Sequence, residues 1–114
     1  EIQGIKLLIS EISGIDIAGL RHLLDQLKNK LKPAVIVLAS IEQQRVQLVV
    51  GVSKELTDKI KAGELANDIA RAIGGSGGGR ADFAQAGGGE PEVLDAALKN
   101  VKHWVETRLN DNYA

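Results

Sequence analysis

Apolar and polar positions alternate along the chain with changing period, and the period assigns the elements. Residues Ile5–Ile12 (IKLLISEI) are dense in apolar side chains and partly alternating, which predicts a strand. Gly14 and Asp16 follow as turn and cap signals. Leu20, Leu23, Leu24, Leu27 and Leu31 then recur three and four positions apart, one apolar face of a helix running from about Asp16 to Lys32. Arg21, Asp25, Lys28 and Lys32 occupy its opposite face, and Pro33 stops it. Ala34–Ser40 (AVIVLAS) is a β-branched run without alternation, as expected of a strand buried on both faces. Arg45–Val52 (RVQLVVGV) predicts another strand, joined to it by the short link Ile41–Gln44 and so antiparallel. Strand, helix and strand over residues 5–40 form a βαβ unit, whose strands are expected to be parallel.

Ser53 is placed to cap a short turn through Lys59. Ala62–Ile73 predicts a second helix, with Leu65, Ala66, Ile69, Ala70 and Ile73 inward and Gly74 ending it. Gly74–Gly89 is expected to be a loop. Glu90-Pro91 opens a last helix, with proline in its first turn and Leu94, Leu98, Val101, Val105 and Leu109 as its apolar stripe. Ala97 and Trp104 join that stripe, and Asn110–Ala114 is expected to fray. The fold class is therefore α/β: a single small domain over residues 1–114, with a mixed sheet of three or more strands (the βαβ unit plus an antiparallel hairpin) flanked by helices.

Composition narrows the chemistry. At 114 residues the chain is long enough to bury a core without a metal or disulfide, and 44% hydrophobic residues argue against disorder. Aromatics are only 3%, so the core rests on Leu, Ile, Val and Ala. Base-stacking platforms are limited to Phe83, Trp104 and Tyr113. The net charge of −1 gives no basic excess for general phosphate neutralisation, so any nucleic-acid contact must be local and shape-based. With no cysteine, disulfides and thiolate metal sites are excluded. No apolar stretch reaches the length of a membrane span, and no signal peptide is visible. The chain begins at Glu1 without Met and is expected to be a fragment of something longer.

The segment Gly74–Gly89 holds eight of the 13 glycines. Glycine loses the most conformational freedom on folding, so these residues must supply something in return. One reading is a ligand-accepting loop whose N–H groups form an anion cradle for phosphate, ribose or a base edge. The other is tight packing against the sheet edge with no ligand. Gly74–Arg80 superficially resembles a triphosphate loop, but Arg80-Ala81 stands where Lys and a hydroxyl residue are needed, and the segment follows a helix. A dinucleotide-binding fold fails as well, lacking the G-x-G-x-x-G register and a strand-to-helix entry.

The string GGSGGGRADFAQAGG, residues 74–88, resembles the signature of the C-terminal domain of bacterial-type alanyl-tRNA synthetases, within the DHH-associated domain family. The stretch VGVSKELTDKIKAGEL and a last helix containing VKHW carry the likeness over essentially the whole chain. Ser76 stands where the family often has a basic residue, and Ala81 where it often has proline. Phosphodiesterase relatives usually carry His at the position of Arg80, which favours the synthetase branch. The resemblance implies a domain that holds tRNA by its elbow and helps couple aminoacylation with editing. It implies alanine-specific tRNA and the other synthetase domains as partners, and a cytoplasmic setting. ATP, magnesium and zinc are implied only for other domains of a parent ligase; no cofactor, metal or catalytic residue is expected in this chain.

The candidate nucleic-acid-binding residues are Gly74, Gly75, Gly77, Gly78, Gly79, Arg80, Gln85 and Lys54. Arg80 offers a fork of donors to phosphate or a base edge, or else pairs with Asp82. Gln85 either reads a base edge or satisfies loop carbonyls. Lys54 is the preferred backbone contact in a group with Lys59 and Lys61 that Glu55, Asp58 and Glu64 nearly cancel. Phe83 is expected to anchor the loop to the core. His22 and His103 each have one carboxylate a turn away but no second His, so surface pairing is expected. Two alternatives remain at this point: the substrate-grip domain of a DHH-type phosphodiesterase, and a structural module that forms a homodimer through an exposed face of the last helix.

Overall fold

The β-branched run in the middle of the chain becomes the centre of the structure. In the computed structural model, which describes residues 4–110, β2 (Ala34–Glu42) lies between β1 (Lys6–Glu11) and β3 (Arg45–Val52). β1 pairs with β2 in parallel and β3 with β2 antiparallel, as the sequence pattern predicts. Seven consecutive residues of β2, Ala34–Ser40, are buried. Their alternation feeds two separate cores: Ala34, Ile36 and Leu38 face one side, Val35, Val37 and Ala39 the other.

The helix α1 (Ile17–Leu31) covers the first side with Leu20 and Leu24, both fully buried. Asp16 caps it, its carboxylate accepting from the Gly19 N–H at 2.9 Å. Close seating of α1 on β3 needs a residue without a side chain: a Cβ on Gly51 would stand 2.9 Å from Leu24 Cδ1. The second side is covered by α2 (Ala62–Ala72) and α3 (Leu94–Asn110). Leu65, Ala66, Ile69 and Ile73 come from the α2 region; Leu94, Leu98, Val101, Val105 and Leu109 come from α3. Outside the core the two helices are tied by Arg108, which reaches Glu64 at 3.5 Å and lies 4.5 Å over the Trp104 ring. Trp104 is half-buried against the core.

The main departure from expectation is the glycine segment. It is not a loop. Gly75–Gly79 form β4 and Phe83–Gly88 form β5, an antiparallel hairpin turning at Arg80–Asp82. β5 pairs with β3, so the sheet has five strands in the order β1-β2-β3-β5-β4. Glycine disfavours strands by local propensity, but pairing with β5 and packing under α2 override that preference. Two smaller corrections follow. Ser53 does not cap the 3-10 turn Lys54–Leu56; its hydroxyl accepts from the Ala34 N–H at 2.9 Å, a buried bond. Pro91–Val93 form a 3-10 turn, and the last α-helix starts at Leu94. The expected fraying of the C-terminus falls at 111–114, outside the described residues, as does Tyr113.

The apolar stripe of α3 is buried within this chain, so no exposed apolar face is left there for a partner copy. Among the described residues, Ile41 is the exposed large hydrophobic side chain. No described helix is long and apolar enough to cross a membrane.

Candidate nucleic-acid interface

The glycine hairpin is built from its ends inward. Gly74 terminates α2 with φ +69°, a conformation that side chains rarely adopt, and it fills the helix-ending position expected of it. Beyond it β4 runs along the free edge of the sheet. The Arg80 N–H donates to the Phe83 carbonyl at 2.8 Å, which fixes the hydrogen-bonding phase of the hairpin. In that phase the N–H and C=O groups of Gly77 and Gly79 point outward, away from β5. Because the backbone is extended, successive N–H groups point in opposite directions. They form no concave anion cradle, so of the two readings of the glycine content the strand geometry does not supply the first in that form.

The first turn of α2 sits on the hairpin tip. The Ala62 N–H donates to the Ala81 carbonyl at 2.8 Å, and the Gly63 N–H to the Arg80 carbonyl at 3.0 Å. The free donors of a helix start are thus consumed by the protein itself. Gly63 makes this approach possible, since a Cβ there would lie 2.9 Å from the Gly79 oxygen. On the other side α1 braces the tip: Lys28 Nζ donates to the Asp82 carbonyl at 3.0 Å and lies 3.9 Å from its carboxylate. The Asp82 carboxylate also lies 3.7 Å from Arg80 Nε. The pairing with Asp82 is therefore present, through Nε of the guanidinium itself, while the Arg80 side chain stays 78% exposed. Phe83 is half-buried among the α1-side core residues, with the Arg21 guanidinium 5.4 Å above its ring. It is an anchor, as expected.

The candidate residues divide into separate places. Gly77, Gly78, Gly79 and Arg80 line a groove of about 380 Å³, whose other wall is Lys61, Gly63, Glu64 and Asn67 from the start of α2. Gly75 pairs with Gly88 at the far end of the hairpin, with Gly74 beside it. Gln85 faces the opposite side of the sheet, in a shallow depression with Ile17, Gln47, Ser76, Ala86 and Gly87. Lys54 lines a third hollow, of about 550 Å³, with Asp25, Lys28, Asn29, Lys32, Ser53 and Glu55. The Val52 N–H donates to the Asp82 carbonyl at 3.0 Å, so Lys54 and Arg80 follow strand ends at the same end of the sheet.

Not all hairpin glycines serve packing. A Cβ on Gly77 would collide with the Ala86 side chain, and one on Gly79 would stand 2.7 Å from Ala84 Cα. A Cβ on Gly78 would meet nothing within 4 Å. Sequence reasoning did not single out Asn67 or Gln47, because only strand register and helix docking bring them to the hairpin. Lys61 was visible but was assigned to a charge-balanced surface. Its ammonium donates to the Thr57 carbonyl at 3.1 Å and remains at the groove's edge. His22 and His103 are both exposed, and the described residues contain no group of three or more His, Cys, Asp or Glu side chains arranged to hold a metal.

Comparison with known proteins places this geometry. The profile of the DHHA1 domain matches residues 4–107. The alanine–tRNA ligase of Aromatoleum aromaticum is 55% identical over 109 residues, covering 96% of this chain and 12% of that protein. That of Hydrogenovibrio crunogenus is 51% identical over 107 residues, covering 94% of the chain and again 12% of the relative. The chain thus spans a small part of the curated relatives it matches. The crystal structure of the C-Ala domain from Aquifex aeolicus alanyl-tRNA synthetase superposes with a TM-score of 0.80 at 36% identity, covering 85% of this chain and 87% of that one.

Proposed function

Since the chain belongs to the DHHA1 domain family, and within it to the C-Ala domains of alanyl-tRNA synthetases, we propose that it is a tRNA-binding domain. It contacts the tRNA elbow through the tip of its glycine hairpin and helps couple aminoacylation with editing. Its partners are an alanine-specific tRNA and the catalytic domains of a parent ligase, which works in the cytoplasm and supplies ATP, magnesium and zinc chemistry outside this chain. The observation that carries the reading is the exposed Arg80, seated at a hairpin tip that α1 and α2 both brace.

The physical argument is local. A side chain already oriented by a neighbour loses less entropy on binding than a fully mobile one, and Asp82 orients Arg80 at Nε while most of the side chain stays exposed. Arg80 then offers a planar set of donors to a phosphate or base edge. Lys61 at the adjacent groove, and Lys54 and Lys28 at the same end of the sheet, supply further positive charge. Glu64, Asp82 and Glu55 offset much of it, so affinity should be modest and its salt slope shallow, set by the few phosphates contacted.

The test of the elbow reading is a fluorescence-anisotropy titration with two RNAs, a full alanine tRNA transcript and an acceptor-stem minihelix lacking the elbow. The full transcript should bind at least tenfold more tightly, roughly 1.4 kcal/mol. Equal affinities would remove the elbow from the account, and no binding of either RNA would remove the tRNA. The phosphodiesterase alternative draws no support from the relatives reported above, which are ligases.

A further inference from the structure

The hairpin has a second surface, facing away from α2. Across β3, β5 and β4 the register aligns Gln47 with Gly87 and Gly87 with Ser76, and it aligns Val49 with Gln85 and Gln85 with Gly78. All six residues therefore point to the α1 side of the sheet. Val49 lies within the core beneath α1. The others extend past the helix, whose residue Ile17 forms the rim of a depression of about 300 Å³.

Three features of that depression and of the strand face beside it have no use within the fold. The Gln47 carbonyl oxygen is buried without a hydrogen-bond donor among the described residues, where buried polar atoms are ordinarily paired. Gly78 has open space where a Cβ would stand, and its φ lies outside the left-handed region, so the fold does not require glycine there. The lining is uncharged, being Ile17, Gln47, Ser76, Gln85, Ala86 and Gly87, so it is not built for phosphate. A flat, bare floor beside amide groups suits a planar neutral group that donates hydrogen bonds.

We propose that this depression seats one unstacked nucleobase of the bound tRNA, with the base lying over Gly87 and reaching the adjoining open face of Gly78. The Gln47 side chain turns to present its amide oxygen to the exocyclic amino group of the base, and the exposed Gln85 amide serves a second atom of the same base edge. Amides offer the paired donor and acceptor that base edges present. This seat rests on the tRNA-binding reading and deepens it. Backbone contacts fall to Arg80 and Lys61 at the tip and groove, while the opposite face of the hairpin supplies the base contact.

The experiment titrates the chain with an alanine tRNA transcript and compares Gln47→Leu, Gly78→Val and Arg80→Ala. Leucine removes a buried unpaired acceptor, so thermal stability should hold or rise while affinity falls roughly fivefold. Gly78→Val adds a strand-favouring side chain into open space, so it should fold normally and weaken binding by a similar factor. The salt slope of Gln47→Leu should match wild type, whereas Arg80→Ala should lower the slope by about one. If both face variants bind like wild type while Arg80→Ala binds weakly, the seat is wrong and the tRNA reading survives. If wild type does not bind tRNA, both fall.

Discussion

Replacing Gly63 by alanine should destabilise this domain, although the same change in most helices stabilises. Gly63 lies in the first turn of α2, and exchanging a helical glycine for alanine ordinarily gains about 0.8–1 kcal/mol. Here the new Cβ would stand 2.9 Å from the Gly79 carbonyl oxygen and 3.4 Å from Gly79 C and N. Those atoms belong to a backbone strand paired with β5, so they cannot rotate aside. Overpacking of this kind costs about 1–3 kcal/mol. If α2 shifts to relieve it, the Ala62 to Ala81 and Gly63 to Arg80 hydrogen bonds lengthen, each worth about 0.5–1.5 kcal/mol. The balance is a net loss of roughly 1–2 kcal/mol. Urea denaturation followed by circular dichroism measures it, with Gly78→Ala as the matched control. That control meets nothing within 4 Å and should be neutral or slightly stabilising. A Gly63→Ala variant more stable than wild type would refute the docking of α2 on the hairpin tip.

Other substitutions test the frame around the hairpin. Ser53→Ala leaves the buried Ala34 N–H without its acceptor and should cost about 1–3 kcal/mol in urea denaturation. Asp16→Ala removes the cap of α1 and should cost about 1 kcal/mol, seen as a lower melting temperature. Leu24→Ala empties a fully buried site under α1 and should cost about 2–5 kcal/mol. Light scattering should find the chain monomeric, because the α3 stripe is already buried; a stable dimer would require another face.

Most of the framework was legible in the chain. β2 declared itself by an unbroken β-branched run, and α1 and α2 by leucine and alanine spacing, because in each the same residues that set the period also fill the core. The hairpin was not legible as strands, since Gly75–Gly79 carries no side-chain alternation to read. Its conformation is decided by partners distant in sequence: β3 through Val46–Gly51, and α2 through Gly63. The same gap explains the candidate site. Arg80 stood out beside its glycines, with Asp82 offered as one alternative partner. Lys28, 54 residues away from Asp82, braces the tip through a contact that no local pattern encodes. Ser53 misled for a related reason: its position before a turn matched a cap, but a neighbouring strand end took its hydroxyl.

The contact assigned to the hairpin tip is tested most directly by the affinity of wild type and Arg80→Ala for an alanine tRNA transcript, measured at low and at moderate salt. Arg80 is 78% exposed, so its removal should leave the fold and melting temperature unchanged. Binding at low salt should weaken roughly three- to tenfold, with the salt slope reduced by about one. Equal affinities and equal slopes for the two proteins would contradict an RNA contact at the tip of the glycine hairpin.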